Sequence, residues 1–234
     1  MDYSHPGVAE AKPKKQGDLA DFEPKFGYHD AGRLYDVKQE IYRLPDRLLY
    51  RLAMYYGLLP ESGWDAVDQL AEKKVIGVGE EAQEAVHHLQ YAVSFATMLR
   101  LRTYLHHDQQ QERVTMLSGA NQEEAQQAVS KAFLLPEEVL QAGGSLFKYY
   151  YVALPLHRKM KAFFEKRESM SPNKEADFFQ AEAFYDDSDN TRGDIHQRLL
   201  DYEGAKTYYE RGLAMEEALY GGNHPSVAYS LNNV

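Results

Sequence analysis

The segment from Glu80 to His107 is the longest periodic stretch of the chain and constrains its fold most strongly. Its apolar residues recur at the three- and four-residue spacing that brings side chains to one face of an α-helix. These residues are Ala82, Ala85, Val86, Leu89, Val93, Ala96 and Leu99. No segment of useful length alternates apolar and polar residues as a half-buried strand does. We therefore predict an all-α fold.

Changes in composition divide the chain into four segments. Residues 1–32 contain three prolines and little that could form a core, which predicts a mobile N-terminal arm. Residues 33–165 hold most of the helical patterns and predict a helical bundle. Residues 166–185 begin with a charged run and are predicted to be a linker, and residues 186–234 form a separate repeat region.

Composition and charge argue against several classes of function. The formal net charge of −10 at pH 7 disfavours a general nucleic-acid binder, which needs a basic face. The chain has no cysteine, so it can hold neither a disulfide nor a cysteine-based zinc site. No apolar run reaches the roughly 18 residues of a membrane span, and Met1 to Asp21 does not resemble a signal peptide. We expect a cytoplasmic protein that binds neither nucleic acid nor membrane.

The end of the chain carries its most specific pattern. Small and aromatic residues stand there at the spacing of a tetratricopeptide helix pair, in which small side chains let two antiparallel helices approach and an aromatic ring fills the space between them. The residues of this pattern are Gly193, His196, Ala205, Tyr209, Gly212 and Pro225.

The run from Asp201 to Val234 closely resembles the kinesin-light-chain class of tetratricopeptide repeats, whose period is longer than the usual ~34 residues. Arg192 and Val234 occupy equivalent positions and are 42 residues apart. The resemblance implies an all-α array in which residues 186–234 supply one repeat and the first half-helix of a second.

Two departures from the family pattern matter. The first repeat has Asp189 and Arg192 where the family prefers leucine, which predicts a degraded or capping repeat. The chain also stops at Val234, where the repeat's glycine should follow. Because about three repeats are needed for a stable array, we expect a fragment of a longer protein.

The resemblance also implies a peptide-binding groove. In the family, the asparagine at the position held here by Asn233 lines the groove and bonds the backbone of the ligand, and Gln197 and Arg198 fall at groove-facing positions of the preceding repeat. Asparagine and glutamine can donate and accept hydrogen bonds at once, which suits a peptide amide. An ordinary surface asparagine is the alternative at Asn233. These residues predict a non-catalytic interaction scaffold that binds a protein or peptide and needs no cofactor.

The bundle resembles a different family. The segments Tyr35 to Leu58 and Ser62 to Ile76 are similar to the helical substrate-binding domain that accompanies nucleotidyltransferases in bacterial signalling proteins. Residues of that family that recur here are Asp36, Lys38, Arg100 and Arg102. The resemblance implies an alternative function, as the substrate-binding half of a nucleotidyltransferase whose catalytic lobe lies upstream in a longer protein.

Neither catalytic nor metal-binding residues emerge from the sequence. A nucleotidyltransferase lobe needs a Gly-Ser followed by paired aspartates that bind magnesium, and Gly144-Ser145 has no such pair behind it. The histidines around His88 and His107, with Asp108, suggest the ligands of a two-metal phosphohydrolase. Residues 88 and 107 are 19 positions apart, however, which is about 28 Å along one helix. We therefore predict no catalytic residue and no metal site.

We predict that the isolated chain neither hydrolyses nor transfers nucleotides with magnesium or manganese, because the paired aspartates are missing. Turnover of ATP with each metal is the measurement. Activity that His88→Ala or Asp108→Ala abolishes would contradict this prediction and restore the two-metal interpretation.

Overall fold

A computed structural model gives the fold of most of the chain. It describes residues 34–108, 110, 113–115, 144–180, 183–199 and 201–231. The described residues belong to two compact units. The first unit takes residues 37–100 and 152–185, and the second takes the described part of 25–36, 101–151 and 186–234. The predicted arm, residues 1–32, lies outside the described residues.

The described residues are predominantly helical, and the predicted all-α class is confirmed at that level. The elements in chain order are β1 (Leu34–Asp36), a π-helical turn (Val37–Tyr42), α1 (Arg43–Tyr55), α2 (Gly63–Glu72), α3 (Glu80–His107), β2 (Arg113–Thr115), α4 (Ser145–Lys166), a 3-10 turn (Arg167–Ser169), α5 (Pro172–Ala176), α6 (Asp189–Arg198), α7 (Tyr202–Tyr220) and α8 (Pro225–Leu231). In the second unit β1 pairs antiparallel with β2, with Leu34 opposite Thr115. Strands of three residues are too short to show an alternating pattern, so the sequence did not reveal this pairing.

The helical periodicity located the core of the first unit. The limits of α3 are those predicted, Glu80 and His107. Of the predicted face, Ala85, Leu89, Val93, Ala96 and Leu99 are buried, whereas Ala82 and Val86 are half-buried. Ala92 and Phe95, which were not predicted, are buried as well. In α1 the residues Leu44, Leu48 and Leu52, which also recur at helical spacing, are buried as well.

Helices α1 and α2 lie side by side and run in the same direction. At their starts, a Cβ on Gly63 would lie 2.9 Å from Asp46 Oδ1 and 3.2 Å from Asp46 Cα, so a larger residue would force the helices to shift. At their ends, the Lys73 Nζ donates to the Tyr56 carbonyl oxygen at 2.6 Å. The connection begins at Gly57, whose φ of 74° is in the left-handed region that glycine adopts without strain. It ends at Ser62, whose side chain caps α2.

The charged run predicts that residues 166–185 are a linker, but two aromatic residues in the second half of this segment are buried in the first unit. Phe179 and Phe184 of this segment are fully buried in the first unit. The ring centroid of Phe179 lies 5.0 Å from that of Phe163 in α4 and 6.4 Å from that of Phe184. Phe184 holds this position with a φ of 48°, which is uncommon for a bulky residue. Burial of aromatic surface therefore makes the second half of the segment part of the core.

Helix α5 is fastened to the end of α1 by two tyrosines. The Tyr55 hydroxyl donates to Glu175 Oε1, and the Tyr56 hydroxyl donates to the Glu175 carbonyl oxygen at 3.1 Å. Burial, together with the hydrogen bond to Glu175 and its charge, raises the pKa of Tyr55 to about 12. Burial and the Glu175 charge raise the pKa of Tyr56 as well.

The pKa of Tyr55 predicts a specific loss of stability in alkali. Its ordinary pKa is 10.0, and the folded value of about 12 is higher. Folding therefore favours the neutral phenol, and this contribution is complete below pH 10 and lost as the pH rises through 12. The free energy of unfolding, measured by urea titration across this range, should fall more steeply in the wild type than in Tyr55→Phe.

Tyr220→Phe is the matched control, because Tyr220 is 56% exposed. It should follow the wild-type curve. A Tyr55→Phe curve parallel to that of the wild type would show that the phenol of Tyr55 ionises normally in the folded chain.

Candidate functional site

Helices α6 and α7 form an antiparallel hairpin in the second unit. A Cβ on Gly193 would meet the Tyr209 ring, and one on Gly212 would meet the Asn190 side chain. The contact positions advance from 190 to 193 in α6 and go back from 212 to 209 in α7, as they do in antiparallel helices. The turn between the helices is short because α6 ends at Arg198 and α7 begins at Tyr202.

The centre of the hairpin is the contact between Gly193 and Tyr209. A Cβ on Gly193 would lie 2.4 Å from a ring carbon of Tyr209, closer than real Cβ atoms approach. The tyrosine is 3% exposed, and its hydroxyl donates to Asp194 Oδ1 at 2.9 Å. Ala205 is buried in the same helix one turn before. The two glycines of the sequence pattern thus lie where a side chain of the facing helix leaves no room for a Cβ.

The turn of the hairpin is held by His196 and Asp201. His196 Nδ1 donates to Asp201 Oδ2 at 2.8 Å, and Asp201 Oδ1 accepts from the Gly204 backbone N–H at 2.9 Å, which caps α7. The imidazole stacks on Tyr208 with ring centroids 4.9 Å apart. Asp201 is 4% exposed, so this carboxylate is used inside the hairpin.

A polar network that the sequence did not suggest joins α6, α7 and α8. Asn190 Nδ2 donates to Glu216 Oε1 at 3.0 Å and to Ser230 Oγ at 3.2 Å. The Ser230 hydroxyl, which is fully buried, donates to Glu216 Oε2 at 2.7 Å. Pro225 of the predicted pattern is the first residue of α8. In the sequence, Ser230 could have been found only as a polar residue on the inward side of a short amphipathic helix.

The first turns of α4 cover one side of α6. The ring centroid of Phe147 lies 5.0 Å from that of His196, and the Arg192 guanidinium carbon lies 6.0 Å from the centre of the Tyr151 ring. The Asp186 backbone N–H donates to the Tyr151 carbonyl oxygen at 2.9 Å. The polar start of α6 therefore packs against a helix from earlier in the chain.

The predicted groove residues are only partly described. Gln197 and Arg198 are neighbours in the last turn of α6, and both are half-buried. Gln197 Oε1 lies 3.4 Å from the Tyr209 hydroxyl, whose proton is donated to Asp194. Asn233 lies outside the described residues. The equivalent residue 42 positions earlier, Thr191, is buried and donates its hydroxyl to Asp186 Oδ2 at 2.6 Å.

Of the histidines considered as metal ligands, His88 has other contacts, and the side chain of His107 lies outside the described part of the structure. His88 Nδ1 donates to the Ala183 carbonyl oxygen at 2.9 Å, and its ring stacks on Tyr185 with centroids 4.6 Å apart. Helix α3 is continuous from Glu80 to His107. Within the described ranges, no group of three histidine, aspartate or glutamate side chains could hold a metal ion.

The residues shared with the nucleotidyltransferase-associated family fall in both units. Arg100 lies in the first unit with its guanidinium carbon 4.4 Å from the centre of the Tyr42 ring. Arg102 is exposed and Asp36 lies opposite Arg113 in the strand pair, both in the second unit. None of these contacts indicates a nucleotide site.

Comparisons with known proteins found no counterpart: no family model, no curated protein and no solved structure matches this chain. In the part of the chain that the structure describes, no helix is both long and apolar enough to cross a membrane. The geometry of the hairpin is therefore the main guide to function.

We predict that Gly193→Ala destabilises the second unit by about 1–3 kcal/mol, because the new methyl group overlaps the buried Tyr209 ring. Thermal unfolding followed by circular dichroism measures the effect. The double variant Gly193→Ala, Tyr209→Leu also replaces the ring by a smaller side chain. It should lose less stability than the two single variants lose in sum.

Gly222→Ala is the control, because nothing lies within 4 Å of a Cβ at Gly222. If Gly193→Ala and Gly222→Ala have equal effects, the close approach of α6 and α7 does not determine the stability of the hairpin.

Proposed function

We propose that α6 and α7 are the first repeat of a tetratricopeptide-type array, and that the chain is a non-catalytic scaffold that binds an extended peptide or a partner helix. The fit of the Tyr209 ring over Gly193 carries this proposal. It joins two antiparallel helices through one aromatic residue and one glycine, which is how the helix pairs of such arrays pack.

The surroundings of the hairpin support a stacked array. Residues Phe147 and Tyr151 of α4 cover one side of α6, as a capping helix does. On the other side, α8 is joined to α7 through Ser230 and Glu216. Each repeat in such an array contacts only its neighbours, so a helix on each side of a pair is the expected arrangement.

The proposed binding surface is the last turn of α6. The half-buried amide of Gln197 lies beside the Tyr209 hydroxyl and offers both a donor and an acceptor to a peptide. The adjacent guanidinium of Arg198 can bind a carboxylate or a second carbonyl. Together they suit the backbone of an extended peptide, with Asn233 supplying the same chemistry from the next repeat.

We predict that linear peptides selected from a random display library against the whole chain lose affinity for Gln197→Ala by about fivefold. The reason is that one hydrogen bond contributes about 1 kcal/mol. The loss for Arg198→Ala should be at least as large, because hydrogen bonds to charged groups are stronger. Dissociation constants from fluorescence anisotropy measure both effects.

Lys206→Ala is the matched control for removal of a surface cation. Its side chain is 59% exposed and its pair with Glu210, at 3.8 Å, is a surface pair within α7 that contributes little. Peptides that lose affinity for Lys206→Ala but bind Gln197→Ala and Arg198→Ala normally would place the binding surface elsewhere.

A further inference from the structure

Ser171 is the only serine or threonine in the chain that is followed by proline. It lies between the 3-10 turn Arg167–Ser169 and helix α5, in the first unit. Its side chain is exposed, and so is Lys174 three residues later. Ser171 therefore lies on the surface and outside the hairpin, so its chemistry concerns a property other than peptide binding.

The hydroxyl of Ser171 is not used in the fold as far as the structure describes it. Ser62 and Ser188 stand at the same position before their helices, and their side chains accept backbone N–H groups at 3.1 and 3.3 Å. Ser171 makes no such hydrogen bond. The nearby Ser169 also differs, since its hydroxyl donates to the Lys166 carbonyl oxygen at 2.8 Å.

The backbone is extended at the acceptor serine and at the residue before it, and helix α5 begins at Pro172. Met170 has φ −82° and ψ 144°, and Ser171 has φ −72° and ψ 155°. Pro172 maintains this geometry, because a proline restricts the residue before it to the extended region. Protein kinases bind the acceptor serine in an extended segment, and some require proline next because its nitrogen carries no hydrogen.

We propose that Ser171 is a phosphorylation site for a proline-directed protein kinase that also recognises the cation of Lys174. In the transfer, Ser171 Oγ attacks the γ-phosphorus of magnesium-bound ATP and forms a new P–O bond. The bond from that phosphorus to the bridging oxygen breaks and ADP leaves. The proton of the hydroxyl passes to the catalytic aspartate of the kinase.

The phosphate would lie beside the residue that fastens α5. Ser171 is one helical turn from Glu175, whose backbone N–H donates to the Ser171 carbonyl oxygen at 3.0 Å. Glu175 is the acceptor for both Tyr55 and Tyr56. Phosphorylation adds a charge of about −1.5 to −2, so it acts on the electrostatics of this contact within the first unit.

The test uses the whole chain, magnesium-ATP and a proline-directed kinase of the class that prefers a basic residue three positions after the acceptor. Intact mass and peptide mapping should show one phosphoryl group, on Ser171. Ser171→Ala and Pro172→Ala should abolish it, and Lys174→Ala should slow it by about tenfold, the effect of losing one charge-assisted contact. Ser169→Ala, the matched control, should be modified at the wild-type rate.

A synthetic peptide of residues 167–176 separates recognition from access. If the kinase modifies the peptide but not the folded chain, the fold withholds the site and the proposal is overturned. It is equally overturned if neither is modified, or if the phosphoryl group persists in Ser171→Ala.

Discussion

The approach of α6 to within contact of the Tyr209 ring is the constraint on which the second unit depends. Because Gly193 has no side chain, the ring can approach the backbone of the facing helix closely and bury its surface there. The hydroxyl of the same tyrosine reaches Asp194 and lies near Gln197. One aromatic residue thus provides packing energy and lies beside the amide that we assign to peptide binding.

The first unit is organised by aromatic burial around residues that look polar in the sequence. Phe163, Phe179 and Phe184 form its aromatic core, although Phe179 and Phe184 belong to a segment that begins with a charged run. Glu175 of the same segment accepts hydrogen bonds from two tyrosines of the α1 end. A charged run was therefore no indication that the whole segment is solvated, since its charged and aromatic residues serve different contacts.

The parts of the fold that follow from local spacing could be predicted, and the parts that depend on distant partners could not. The limits of α3 and the buried stripe of α1 follow from helical periodicity, which is a property of neighbouring residues. The bond from Tyr55 to Glu175 joins residues 120 positions apart, and no local pattern identifies such a pair. For the candidate site, the glycine and aromatic spacing located the hairpin. The cover provided by α4 and the network at Ser230 required the structure, because their partners come from separate helices.

The network of Asn190, Glu216 and Ser230 also has a consequence for how further helices could stack on this hairpin. Apolar surfaces tolerate small sliding, whereas the hydrogen bonds of the half-buried Asn190 amide and the buried Ser230 hydroxyl to Glu216 are all made in one register only. A helix that stacks against α7 without a hydroxyl at the position of Ser230 therefore loses two of these hydrogen bonds. In an array built from such contacts, repeats are not interchangeable, and the polar residues at each junction determine which repeat follows which.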